Sequence, residues 1–188
     1  MATQTLQTDV ALLDGASIAS RQQPLRALYH QAPENAQISD HAATGSREIA
    51  ADNPLYTSVT VGTGLPTDLK IGVHKAVGGE SDYPVPGKIF AAAIASCLDS
   101  ATRMIANLLG ISLTKLEVRV SVHVDVRGTL MVDKSVPVGF QAVDVSIDIE
   151  GAKGVSQDQI DHLLKLAERS CVVLQTLQAP PEIRVKKR

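Results

Sequence analysis

Tryptophan is absent from the chain, and aromatic residues make up only 3% of its 188 positions. A core built from this sequence must rest on aliphatic side chains drawn from the 44% apolar fraction. An excess of one charge is missing too, with 18 Lys and Arg against 20 Asp and Glu, a net charge of -2. That excludes field-driven attraction to nucleic acid or to an anionic membrane surface. The one basic run, Lys186-Lys187-Arg188, reads as a solvated tail. The uncharged stretch Ile89 to Leu98 is about half of the roughly 20 residues a membrane span requires. The first twenty residues carry Asp9 and Asp14 and lack a basic start followed by an apolar run, so a secretory signal is not expected and the protein is read as cytoplasmic. Cysteine is scarce, with two in all, which rules out an all-cysteine zinc site, and the five histidines show no ligand spacing among themselves. A metal site is therefore not expected. In a reducing compartment two cysteines are more often free or catalytic than a structural staple.

The length suits one domain with a long arm. Residues 1–53 read as an N-terminal arm and linker: a loose polar start, a short helix over Pro24 to Gln31 with Pro in its first turn, and an irregular connection from Pro33 to Asn53. Residues 54–188 read as the compact domain. Tyr56 to Thr63 and Leu69 to Ala76 alternate and form a hairpin around Gly64-Leu65-Pro66. Leu116 to Arg127 keeps strict period two, with Leu116, Val118, Val120, Val122, Val124 and Val126 on one face, and Val143 to Ile149 repeats the pattern. The connection between them, Gly128 to Gly139, is long for a hairpin and reads most simply as a floppy excursion, with a functional flap as the alternative.

Lys88 to Leu109 predicts a helix ended by Gly110 in a left-handed cap. Its first three turns are apolar nearly all round, so one sheet covers one side only and a second layer or a partner chain must cover the rest. Asp99 and Arg103, four apart, suit a helical ion pair. A second amphipathic helix opens at Ser156 with a capping box to Gln159 and a Val155–Ile160 staple, and Cys171 falls at or just past its end. Ile183-Arg184-Val185 can add an edge strand. The order β-β-α-β-β-α-β predicts an α+β fold with helices packed on a mostly antiparallel sheet.

Cys97 has Phe90, Ala93, Ile94, Ala101 and Met104 at helical spacing around it. A small core hydrophobe and a thiol facing an apolar pocket both fit that setting. The helix dipole cannot activate it: Cys97 lies roughly 16 Å from the helix start, and the dipole acts within the first turn. Arg103 and Lys88 point to other sides of the helix. Cys171 is the only other cysteine. A first thiol oxidised to a sulfenic acid and a second that condenses with it is one chemistry two such residues support.

The run PGKIFAAAIASCLDSATRMIANLLGI, Pro86 to Ile111, and the run LAERSCVVLQTL, Leu166 to Leu177, together resemble the two cysteine motifs of the OsmC/Ohr family of hydroperoxide reductases. The similarity extends from about Pro54 to the C-terminus. It implies an OsmC-like α+β fold and an intertwined homodimer with the long helices at its centre. It also implies reduction of organic hydroperoxides or hydrogen peroxide without a bound cofactor. Cys97 would be the peroxidatic and Cys171 the resolving residue, with a dihydrolipoyl group or another dithiol as reductant. Many members carry a Glu just after the Pro that opens the helix, holding an activating Arg. Here that position is Gly87, Arg47, His74 and Lys75 are the candidates for the missing cation, and Val172 follows Cys171 where Pro is common. The competing reading is a catalytically weak or inactive OsmC-like dimer that binds an apolar ligand.

Overall fold

A computed structural model describes residues 17–46, 48–62 and 66–187. Its first element, α1 (Ile18–Gln31), is capped by Ser17, whose side chain accepts the Ser20 N–H at 3.3 Å. The helix therefore begins six residues before the expected start, and Pro24 stands in its interior rather than its first turn. The Ser17 cap and an outside partner offset the interior proline: the Ile18 N–H donates to Asn107 Oδ1 at 2.8 Å, which satisfies one of the donors a helix start leaves free. No residue of α1 is buried.

The linker that follows is not wholly irregular. A short 3-10 turn (Pro33–Ala36) leads to β1 (Ala42–Gly45), which pairs antiparallel with β2 (Tyr56–Val61). All four residues of β1 are exposed, so no apolar alternation marks it in the sequence. Backbone pairing to the free edge of β2 makes it a strand. On its other edge β2 pairs with β3 (Thr67–Gly72), giving the expected hairpin, with Val59 opposite Leu69. Residues 63–65 at its tip lie outside the described residues. His74 and Lys75 do not continue the second strand. The chain leaves the ladder at Gly72 and turns through a 3-10 segment (Lys75–Val77), where His74 Nδ1 accepts the Ala76 N–H at 3.0 Å.

The long helix α2 spans Pro86–Leu109 and ends at Gly110, φ 66° and ψ 25°, in the left-handed cap that glycine adopts without strain. By length and composition it is apolar enough to cross a membrane, but it packs instead against β4 (Leu113–His123) and α4 (Gln157–Ser170). β4 and β5 (Ala142–Gly151) form a separate two-stranded antiparallel ladder. The strict alternation of β4 appears in its burial, with Leu116, Val118, Val120 and Val122 turned inward. The strand stops earlier than the pattern, because Asp125 caps a short helix, α3 (Val126–Thr129), by accepting the Arg127 N–H at 3.0 Å.

α4 has the expected capping box. Ser156 Oγ accepts the Gln159 N–H at 3.3 Å, and Gln159 Oε1 accepts the Ser156 N–H at 2.9 Å. A further helix, α5 (Val172–Gln178), follows directly, with Cys171 between the two as the last cap of one and the first of the other. The expected edge strand over Ile183 to Val185 does not form. That segment has no ladder partner, and Ile183 and Val185 are almost fully exposed. The fold is α+β with antiparallel sheets.

Two contiguous clusters make the core. One joins Leu98 and Ala101 of α2 to Ala167 and Cys171, and the other joins Ala106 and Ile111 to Ile160 and Leu163, with Val155 packed beside them. Thr102, wholly buried, donates to the Leu98 carbonyl at 2.7 Å and so leaves no polar group unpaired. Within one chain α2 is covered on one side only. Ile94, Leu98, Ala101, Thr102 and Ala106 are buried, whereas Ile89, Ala93, Ser96, Ser100 and Met104, on the opposite face, are exposed.

Candidate active site

Cys97 lies midway along α2, at the seam between its buried and open faces, and is half-buried. Cys171, wholly buried, sits at the α4–α5 junction. Far apart in sequence, the two cysteines pack in one apolar cluster, where Cys97 is near enough to influence the Cys171 thiol. Leu98, Ala101 and Ala167 surround them. Val118 and Ile147, cross-strand partners in the β4–β5 ladder, pack against one side, and Val173 and Leu174 of α5 against another.

The environment of Cys171 pulls in two directions. Burial, the largest influence, pushes its thiol above the ordinary range by penalising the charged form, and the neighbouring Cys97 adds to that. The backbone N–H groups of Leu174 and Val173, at the start of α5, act the other way. Among the described residues no cation contributes to that shift. Arg103 is engaged by Asp99 on the open side of α2, with Nε–Oδ1 2.6 Å and Nη2–Oδ2 3.1 Å, the pair that their spacing predicts. His74 is used in its own turn, and Arg47 lies outside the described residues. Among the described residues no group of His, Cys, Asp or Glu is placed to hold a metal ion.

The segment between β4 and β5 is not the floppy excursion its length suggests. Gln141 fastens it at both ends, donating from Nε2 to the carbonyls of Pro137 (2.9 Å) and Gly139 (2.6 Å) and accepting the Asp125 N–H at 2.8 Å. Arg127 pairs with Asp125 and reaches Asp133 at 3.9 Å. Gly128 packs so closely that a Cβ there would stand 2.7 Å from the carbonyl oxygens of Val136 and Pro137. The flap ends in Phe140, which stacks on Phe90 of α2 with ring centroids 5.1 Å apart and planes 5° from parallel. The Phe140 ring also lies 3.3 Å from where a Cβ at Gly87 would project, so the space beside the helix start is taken by an aromatic ring rather than a carboxylate. Phe90, Phe140, Gln141, Ala142, Val143 and Leu177 line a groove of about 370 Å³. Sequence reading noted Phe90 only as a neighbour of Cys97 and missed Phe140 and Gln141. The available signal for Phe140 was that it and Phe90 are the only two phenylalanines in the chain.

An antiparallel α+β fold with a long central helix bearing one thiol, and a second thiol at a helix junction beside it, defines a two-cysteine protein of a specific architecture. Residues 78–186 match the model of the OsmC-like protein family, and the chain belongs to that family. Its fold is similar to the crystal structure of an organic hydroperoxide resistance protein, OsmC, from Legionella pneumophila (23% identity over 76% of this chain and 90% of that one, TM-score 0.57). It is also similar to an OsmC-like protein from Mycoplasma pneumoniae (12% identity, 77% and 90%, TM-score 0.59). A third similar structure is an organic hydroperoxide resistance protein from Elizabethkingia anophelis (19% identity, 77% and 91%, TM-score 0.56). No curated protein matches the chain in sequence.

Proposed function

We propose that the chain is a thiol-dependent peroxidase that reduces organic hydroperoxides or hydrogen peroxide through Cys97 and Cys171. The carrying observation is the meeting of the chain's only two thiols in one apolar cluster. Access divides their roles. Cys97 is half-buried, whereas Cys171 is closed off and its thiol is held protonated by burial, so Cys97 is the peroxidatic residue and Cys171 the resolving one. The Cys97 thiolate attacks the outer peroxide oxygen, the O–O bond breaks, and the leaving alkoxide takes a proton to depart as the alcohol. Cys171 then gives up its proton and attacks the sulfenic acid on Cys97 as the thiolate, a disulfide forms, and the displaced hydroxide takes up a proton and leaves as water. A dithiol reductant, such as a dihydrolipoyl group, returns two electrons and two protons by exchange and is itself oxidised to a disulfide. No bound cofactor enters this cycle, and a reducing, cytoplasmic setting suits it.

The working form is a homodimer. The exposed stripe of Ile89, Ala93, Ser96, Ser100 and Met104 on an apolar helix is the face a second α2 would cover. A second reading, an OsmC-like dimer that binds an apolar ligand without turnover, is favoured by two observations: the Phe140 ring fills the space beside Gly87, and among the described residues no cation contributes to the environment of Cys171. Non-reducing mass spectrometry of the reduced protein, after brief exposure to one equivalent of an alkyl hydroperoxide, separates the two. A Cys97–Cys171 disulfide formed within seconds is the result expected of the peroxidase. Two free thiols with peroxide remaining would leave the binding reading.

A further inference from the structure

The groove of the stacked phenylalanines shares two helices with the cysteine cluster. Phe90 is seven residues before Cys97, two helical turns, so both side chains leave α2 on the same side about 10 Å apart along its axis. α5 packs on α2 beside this interval. Leu174 packs against the cluster that holds both cysteines, and Leu177, one turn on, lines the groove beneath Phe140. α2 and α5 thus each contribute side chains both to the groove and to the cysteine cluster, and neither cysteine lines the groove itself. Its volume of about 370 Å³ falls in the range of small-molecule sites, roughly 300–1,000 Å³. In a chain with only two phenylalanines, both stand in its wall. One rides on the flap and the other on α2, and Gly87 allows the flap ring to approach the helix.

We propose that Phe140 is the specificity-determining residue of this site, selecting hydroperoxides whose organic part carries an aromatic ring. The proposal rests on the peroxidase reading above and names the substrate it prefers. A reacting oxygen stands about 3–3.5 Å from its nucleophile, which leaves about 7 Å of the 10 Å interval for the organic part. That is the reach of a phenyl group on the carbon bearing the peroxide. Tert-butyl hydroperoxide and hydrogen peroxide stop short of the groove. An arene placed there meets the faces and edges of Phe90 and Phe140, an arrangement worth more than its area alone.

The probes are cumene hydroperoxide and hydrogen peroxide for turnover, and 2-phenyl-2-propanol, the unreactive alcohol product of the first, for binding. Phe140→Leu, which keeps an apolar side chain at a position 40% exposed, is compared with the wild-type protein. The ratio of kcat/KM for cumene hydroperoxide to that for hydrogen peroxide is expected to fall about tenfold, with the change mainly in KM, and the alcohol to bind about tenfold more weakly by NMR titration. Parallel losses for both peroxides with unchanged alcohol binding would mean that Phe140 only supports the fold, and would overturn the proposal. A wild-type protein that reduces neither peroxide, yet binds the alcohol in a Phe140-dependent way, would remove the peroxidase reading and leave the aromatic groove standing. Binding indifferent to Phe140 would remove the groove whatever the activity.

Discussion

Closure of the Cys97–Cys171 disulfide is expected to quicken about tenfold for each pH unit between pH 6 and 8, because the attacking group is a thiolate. An ordinary thiol, with a pKa near 8.5, is about 3% ionised at pH 7. Cys171 is wholly buried among Leu98, Ala101 and Ala167, and burial raises its pKa by more than the Leu174 and Val173 N–H groups lower it. Its ionised fraction at pH 7 is therefore below about 3%, in the range where each pH unit multiplies the thiolate tenfold. Acid-quenched time points, with dimedone trapping the sulfenic acid on Cys97, measure the step. The trapped adduct should accumulate at pH 6 and be nearly absent at pH 8. A closure rate flat across this interval would mean that Cys171 is already ionised and that burial does not dominate its environment. The same shift has a stability consequence. A thiol whose folded pKa is raised keeps its proton longer in the folded state, so its contribution is fully present below the unfolded value near 8.5 and is lost as pH rises through the folded one. The reduced wild-type protein should therefore lose stability above pH 8.5 relative to Cys171→Ser, at no more than about 1.4 kcal/mol per pH unit.

Leu163→Ala empties a fully buried position between α2 and α4 and should cost about 3–5 kcal/mol in urea unfolding followed by circular dichroism at fixed protein concentration, against a smaller loss for the half-buried Leu164→Ala. Gln141→Ala removes three hydrogen bonds that fasten the flap, about 1–3 kcal/mol locally, and should speed amide exchange at Asp125 and proteolysis between residues 128 and 141. Ala93→Glu places a charge on the open stripe of α2 and should convert the proposed dimer to monomer by light scattering. A wild-type protein already monomeric at micromolar concentration would remove the dimer from the proposal.

What was legible in the sequence were the elements with a strong local signal. β4 announced itself by strict alternation, α2 by its apolar run and Gly110, and α4 by the reciprocal Ser156–Gln159 cap. Elements formed through non-local pairing were not legible. β1 has no apolar face and exists because β2 offers an edge. The strand expected at Ile183 to Val185 had suitable residues but finds no edge to join. α5 was missed because Val172 and Val173 favour strands in isolation, and packing of Val173 and Leu174 against the cysteine cluster overrides that preference. Of the candidate site, both thiols were singled out as the only two cysteines of the chain and by the two motifs that hold them, since either helix alone fits a core cysteine equally well. Their meeting could not, since it depends on how α4 crosses α2. The flap was misjudged because length alone carries no information about a glutamine that bonds both of its ends.

Cys171 is the joint between α4 and α5, and its only thiol neighbour belongs to a helix laid down far earlier in the chain. Oxidation would rivet that joint to α2 and close a loop of about 75 residues, which restricts the unfolded chain by about 4 kcal/mol on a loop-entropy basis. The reduced and oxidised proteins would then differ in their resistance to heat by roughly ten degrees. The melting curve of the intact molecule becomes a gauge of its oxidation state, readable without any label on sulfur.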